Sequence, residues 1–177
     1  MEIILSIIYG VIILCIILIW FVATYNKLHE YTIRINEAET NIDSTLRKRF
    51  DLLSKSIGII KANTDKKDVL ESIANIRSKK VTNFELDRKI YDAINEITAI
   101  KEECKNLKKI ESFMKVELDI NETEAEMVAS RKYYNDTITD YNKMVKSFPS
   151  NLVAKLCKFK SKLYFDGKDT NKKDIKI

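Results

Sequence analysis

An uninterrupted apolar segment near the start of the chain constrains its fold more than any other feature. Residues 3–23 read IILSIIYGVIILCIILIWFVA and contain no charged side chain. As an α-helix they would extend roughly 31 Å, which is about the thickness of the hydrocarbon core of a bilayer. The segment is too long for the apolar core of a cleaved signal, and it lacks the polar stripe that a buried core helix keeps. Residues 1–24 are therefore predicted to form a transmembrane anchor.

The positive charges around this segment predict its orientation. No Lys or Arg precedes it, whereas Lys27, Arg34 and Arg47 follow it. Because flanks rich in Lys and Arg tend to stay in the cytoplasm, we expect a single-pass protein of the cell membrane with its N-terminus outside and its helical domain in the cytoplasm. Cys104 and Cys157 have neither a CxxC nor a Cys/His spacing, so they indicate no disulfide framework and no zinc site.

The rest of the chain has the composition and periodicity of long helices. Three Gly and one Pro in 177 residues are too few for the turns of a β or α/β fold. Apolar residues recur every three or four positions in three segments, 25–61, 66–101 and 107–147. Polar clusters at 63–65 and 103–106 predict reversals, a break near Thr82 is compatible with the pattern, and Pro149 ends the last helix. We expect an all-α fold in which residues 25–150 form an antiparallel up-and-down helical bundle rather than one long parallel coiled coil.

Two charged residues interrupt the apolar stripe of the last helix. Glu124 and Arg131 each lie three or four positions from the nearest apolar residues of the stripe, so both should face the core. A charge in that position is costly unless it is paired. Antiparallel alignment with the first helix places Glu124 opposite Arg49, and Arg131 opposite Asp43. We therefore predict a buried polar layer in which Glu124 pairs with Arg49, and Arg131 pairs with Asp43 or a nearby carboxylate.

Two interpretations of this layer are open at the level of sequence. Buried polar pairs can fix the register of helices whose apolar stripes are alike. Alternatively, the layer could be a site inside the bundle that binds a ligand or an ion. The first interpretation favours a structural role, and the second favours a regulatory sensor.

The net charge of +5 is carried by the C-terminal end of the chain. Residues 155–177 contain eight Lys and three Asp, so the remainder is formally neutral. Within residues 151–177, which we treat as a basic amphipathic juxtamembrane segment and a Lys-rich tail, aromatic and aliphatic residues alternate with lysines. This placement beside the membrane argues against a nucleic-acid partner. It predicts contact of anionic lipid with Lys155, Lys158, Lys160 and Lys162. In the alternative interpretation, the apolar residues of this segment cap the open end of the bundle.

A Tyr-Asn dipeptide occurs three times, at Tyr25, Tyr134 and Tyr141. The last two copies are a heptad apart on the last helix. A tyrosine can bury its ring while its hydroxyl bonds to a neighbouring group. We therefore expect these residues to pack and to form hydrogen bonds within the bundle.

These motifs together resemble those of the LemA family of bacterial membrane proteins. The resemblance rests on ordered blocks after an N-terminal membrane helix, namely Tyr25-Asn26, Asn41-Ile42-Asp43, Arg49-x-Asp51-Leu52, Thr123-Glu124, Ala129-x-Arg131-x-x-Tyr134-Asn135-Asp136, Tyr141-Asn142 and Phe148-Pro149-Ser150-Asn151-Leu152-Val153-Ala154. Residues 62–106 carry little of this pattern. The resemblance implies a single N-terminal anchor with its N-terminus outside, followed by an antiparallel helical bundle. It implies no settled biochemical activity.

Motifs of catalysis are absent from the sequence. There is no Gly-rich phosphate loop, GxSxG, HExxH or EF-hand spacing, and the one histidine, His29, has no partner placed beside it by the pattern. We expect no catalytic residues, no cofactor and no metal. Two hypotheses follow: a non-enzymatic membrane-anchored scaffold with unidentified protein partners, or a ligand- or ion-responsive sensor that uses the polar layer.

Overall fold

Every regular element in the described part of the chain is helical. The computed structural model describes residues 1–64 and 82–166. Its elements are α1 (Glu2–Asn63), α2 (Asn83–Glu103), a 3-10 turn (Leu107–Lys109), α3 (Glu111–Lys146) and α4 (Ser150–Leu156). The predicted all-α fold is confirmed. Helix α1 includes both the apolar segment and the first amphipathic segment, and it ends where the sequence predicts a reversal.

Helix α2 begins at a capping box. The Thr82 hydroxyl accepts a hydrogen bond of 3.3 Å from the Glu85 amide, and the Glu85 carboxylate accepts one of 3.3 Å from the Thr82 amide. These reciprocal bonds satisfy amides that have no partner within the helix. The break that the sequence allows near Thr82 is therefore the start of a helix. The earlier part of the predicted second helix, residues 65–81, lies outside the described residues.

The last long helix begins later than the sequence pattern predicts. From Leu107 to Lys109 the chain forms a 3-10 turn, in which the Leu107 amide donates to the Cys104 carbonyl at 2.9 Å. This tight turn buries Leu107 completely, and α3 starts only at Glu111. A further short helix that the pattern does not separate, α4, follows Pro149. Its end is closed by a bond of 2.9 Å from the Phe159 amide to the Ala154 carbonyl, with Lys158 in the left-handed region at φ 61°.

The described residues fall into two compact units. The first comprises Met1–Glu37 and Tyr134–Tyr164, and the second comprises the described residues of Ala38–Tyr133 together with Phe165 and Asp166. In the second unit α2 and α3 are antiparallel, as the ion pairs between them show. Asp87, near the start of α2, pairs with Arg131, whereas Lys101, near the end of α2, pairs with Glu117, which precedes Arg131 on α3. Its main apolar cluster consists of Leu53, Ile60, Ala93, Ile97, Ile100, Leu107 and Phe113.

The first unit contains the apolar segment of α1. An 18-residue window of this helix has a mean hydropathy of 3.1, and none of it is buried. By length and composition it is a candidate membrane span, and the absence of buried residues in this window distinguishes it from the core helix of a soluble protein. The buried residues that follow in this unit come from three helices and include Leu28, Ile35, Ile138, Tyr141, Val153 and Ala154.

Candidate functional site

Charged residues from three helices meet inside the second unit. Arg49 of α1 is only 1% exposed. Its Nη1 donates to Oδ1 of Asp87 on α2 at 3.0 Å, and its Nη2 donates to Oε2 of Glu124 on α3. The pairing of Arg49 with Glu124 that the sequence predicts is therefore confirmed.

Arg131 closes the arrangement from the side of α3. Its Nη1 donates to Oδ2 of Asp87 at 3.2 Å, and its Nη2 lies 3.6 Å from Oε1 of Glu124. Each carboxylate thus contacts both guanidinium groups, and each guanidinium contacts both carboxylates. We call Arg49, Asp87, Glu124 and Arg131 the charged layer. Its formal charges, two positive and two negative, cancel.

Asp43 is not part of the charged layer. It accepts a hydrogen bond of 2.9 Å from Arg47, one helical turn further along α1; Arg47 is exposed and Asp43 is half-buried. Of the two alternatives predicted for Arg131, Asp43 is wrong, and the nearby carboxylate is confirmed as Asp87 of α2. Asp87 was missed by an alignment that considered only α1 and α3. The available signal was its spacing of three residues before the buried Ile90.

The charged layer is buried at one end and open to solvent at the other. Burial raises the pKa of Asp87 above its ordinary value of 3.8, and the negative charge of Glu124 also raises it. The positive charges of Arg131 and Arg49 lower this pKa but do not cancel the effect of burial. The Nε of Arg49 is buried and has no hydrogen-bond partner among the described residues. Side chains of Glu124 and Arg131, in contrast, are 39% and 34% exposed. No group of three acidic, histidine or cysteine side chains within residues 1–64 and 82–166 is arranged to hold a metal ion.

A second candidate site lies in the first unit, where the chain after α4 runs along α3. We call residues 159–164, which have no regular secondary structure, the C-terminal strap. The side-chain Nδ2 of Asn142 donates to the Lys162 carbonyl at 2.8 Å, and the backbone amide of Lys162 donates to Oδ1 of Asn142 at 2.9 Å. The Tyr141 hydroxyl donates to the Lys160 carbonyl at 3.0 Å. Both side chains are buried, so this Tyr-Asn dipeptide packs and forms hydrogen bonds as predicted.

Aromatic residues fix the two ends of the strap. At one end the Phe159 ring meets the Tyr25 ring edge-on, with centroids 5.8 Å apart. At the other end the Tyr164 hydroxyl lies 3.1 Å from the Thr139 hydroxyl. Tyr25 is two residues beyond the apolar segment of α1. The start of the strap is therefore held beside the point where that segment ends.

The lysines predicted to contact lipid all lie in this unit, but they differ in exposure. Lys155, Lys158 and Lys160 are exposed. Lys162 is half-buried, and its main chain is the part of the residue that Asn142 binds. The alternative interpretation, that the apolar residues of this segment cap the bundle, fits Val153 and Ala154, which are buried, but not Leu152 and Leu156, which are exposed.

Comparison with known proteins places the chain in a family. No curated protein matches it significantly. The model of the LemA family matches residues 38–177. The matched range contains the charged layer and the C-terminal strap, and it begins after Tyr25-Asn26, so that part of the resemblance lies outside it. Since the match covers most of the chain, this protein belongs to the LemA family.

Proposed function

We propose that this protein is a non-enzymatic, single-pass, membrane-anchored scaffold that holds a helical interaction domain at the cytoplasmic face of a bacterial membrane. One observation carries the proposal: the same helix, α1, includes an apolar window with no buried residue and an amphipathic part that supplies core residues. A helix with this division is suited to fix a folded domain to a bilayer. The domain then presents its outer helix faces to protein partners.

The charged layer supports a structural rather than a catalytic role. Catalytic acids and bases need a group whose charge or proton is available to a substrate. Here both carboxylates are occupied by the same two guanidinium groups. The layer therefore resembles a set of pairs that fixes helix register.

The orientation can be tested with single cysteines. Cys15, Cys104 and Cys157 are first replaced by Ser, and either Glu2→Cys or Leu118→Cys is then introduced. Both positions are exposed. We expect a membrane-impermeant maleimide to label the Leu118→Cys variant only in inverted vesicles, and the Glu2→Cys variant only in right-side-out vesicles. The opposite labelling would refute the orientation, and release of the protein by alkaline carbonate would refute the anchor.

The scaffold role can be tested by photocrosslinking in native membranes. Leu118 is a large apolar residue that is 64% exposed on α3. A photoreactive phenylalanine analogue at this position should form a discrete adduct with a partner protein. Ser112, an exposed polar residue of the same helix, is the matched control. If positions 118 and 112 give the same diffuse products, α3 does not present a specific surface.

A second function is favoured by the solvent-exposed end of the charged layer. Because Glu124 and Arg131 remain about one-third exposed, a small anion or cation could compete for one of the internal pairs. In this alternative the protein is a ligand- or ion-responsive sensor. Inorganic phosphate and divalent cations should then shift the thermal midpoint of the wild type but not of Arg131→Gln. Equal responses of both proteins would exclude the charged layer as the sensing site.

A further inference from the structure

We propose that the surface around α4 is a docking face for anionic lipid. This face lies in the headgroup layer of the membrane, beside α1. The docking face consists of three apolar and three basic side chains: Phe148, Leu152, Leu156, Lys155, Lys158 and Lys160. The proposal rests on the membrane anchoring proposed above. It adds a second contact with the same membrane. The apolar side chains of this contact cannot be identified from the charge pattern alone.

The apolar part of the docking face is exposed to an unusual degree. Phe148 is 79% exposed, Leu152 is 58% exposed, and Leu156 is 73% exposed. Leu152 and Leu156 are one turn apart on α4, while Val153 and Ala154 of the same helix are buried. The helix thus has apolar residues on both its packed side and its outer side. Adjacent exposed large apolar residues are typical of a surface that is covered by another body.

The position of the docking face identifies this body as the bilayer. The ring of Phe159, which follows α4, packs against the ring of Tyr25, two residues beyond the apolar segment of α1. Tyrosine rings are enriched at the level of the lipid headgroups. The chain therefore leaves α4 at the membrane interface, and the residues of the docking face lie on both sides of Phe159 in the sequence. No protein partner needs to be invoked to cover it.

The charge of the segment specifies the lipid. Residues 141–165 contain no Asp or Glu, so the field of the exposed lysines is not opposed by acidic neighbours in the same segment. Lys155 lies between the two exposed leucines in sequence, Lys158 and Lys160 follow them, and all three lysines are exposed. Each Lys near an anionic leaflet strengthens binding about fivefold. Three together should strengthen docking roughly a hundredfold relative to a neutral surface.

The test places a fluorescent reporter in the docking face of the full-length protein. Trp20 is first replaced by Phe, which leaves no tryptophan, and Leu156→Trp is then introduced. The protein is reconstituted into vesicles whose phospholipids carry bromine in the upper acyl chain. We expect strong quenching in mixed phosphatidylcholine and phosphatidylglycerol vesicles. Leu118→Trp in the same background, an exposed leucine outside the docking face, is the matched control and should not be quenched.

The lysines are tested in the same assay. Combined Lys155→Gln, Lys158→Gln and Lys160→Gln substitutions should lower the ratio of docked to undocked protein about a hundredfold. This change should abolish quenching of the indole at position 156. Vesicles of phosphatidylcholine alone should have the same effect. Quenching that depends on neither change would refute the role of anionic lipid.

The failure of this inference can be distinguished from that of the anchor. If the protein floats with the vesicles after carbonate treatment but the indole at position 156 is not quenched, the anchor stands and the docking face is refuted. If the fluorescence emission maximum of that unquenched indole instead shifts with protein concentration, the face is covered by a second copy of the chain, which also overturns the proposal. If the protein does not float, the anchor itself is refuted.

Discussion

The substitution Arg49→Met tests the charged layer directly. Methionine matches the length of the arginine stem but carries no charge. Without Arg49, the carboxylates of Asp87 and Glu124 share one guanidinium, that of Arg131, at 3.2 and 3.6 Å. Removing one partner of a buried ion pair costs about 3–5 kcal/mol. Since Glu124 and Arg131 are partly solvated, we expect the lower end, about 3 kcal/mol, and therefore a fall of roughly 6–12 °C in Tm.

The assay is thermal unfolding of the full-length protein in detergent micelles, followed by the helical circular dichroism signal. Arg47→Met is the matched control, because Arg47 lies on the same helix, forms an ion pair with Asp43, and has a side chain that is 76% exposed. Breaking this exposed pair should cost less than about 0.5 kcal/mol. If both variants lose the same stability, burial of the charged layer does not determine its contribution.

The double variant Arg49→Met, Asp87→Leu separates a network from independent contacts. It removes one positive and one negative charge and leaves Glu124 paired with Arg131. Replacing a buried pair by apolar residues is often close to neutral, so we expect stability to return to within about 1 kcal/mol of the wild type. If the two substitutions instead add, so that the double variant is less stable than either single variant, the interpretation as a coupled layer is refuted.

Three further predictions concern pH, the strap and a helix cap. Because burial raises the pKa of Asp87, the folded protein binds this proton more tightly than the unfolded chain, and the contribution of Asp87 to stability falls as pH rises from 3.8 through the raised pKa. Arg49→Met removes a positive charge that lowers the pKa of Asp87. Urea titrations should therefore show that this substitution lowers stability least at acidic pH, and an equal loss at all pH values would contradict the prediction. Asn142→Leu removes two hydrogen bonds to Lys162 and should cost about 1–3 kcal/mol; faster tryptic cleavage after Lys162 is the readout, and an unchanged rate would contradict it. Thr82→Ala should cost about 1 kcal/mol and speed amide exchange in the first turn of α2, whereas Thr82→Ser should not.

Helical periodicity predicted the buried face of α1 because one stripe of the helix is almost wholly aliphatic. Leu28, Ile35, Ile42 and Leu46, which lie on this stripe within residues 25–61, are all buried. The start of α3 was predicted less well, because apolar spacing does not distinguish a 3-10 turn from the first turn of a helix. The burial of Leu107 in the apolar cluster of the second unit decides that geometry.

The two candidate sites differ in how much of them the sequence discloses. Antiparallel register relates positions on two helices by a simple rule, so the pairing of Arg49 with Glu124 followed from their numbers. Asp87 lies on a third helix, and the segment before that helix carries little of the family pattern, so its register could not be deduced. Asn142 binds the main chain of Lys162, and a contact between a side chain and a backbone leaves no periodic signal in the sequence.

The charged layer also explains how similar aliphatic stripes can select one alignment. If α2 were shifted by two turns along its neighbours, Ile97 and Ile100 would take the positions of Ile90 and Ala93, so those positions would remain apolar. Such a shift of seven residues would bring Ile94 to the position of Asp87. Arg49 would then lose the Asp87 carboxylate, which lies 3.0 Å away in the observed register, at a cost of several kcal/mol. We infer that the charged layer selects the observed register chiefly because a shifted register would leave its charges unpaired. This is consistent with a layer whose formal charges cancel and whose four side chains pair with one another.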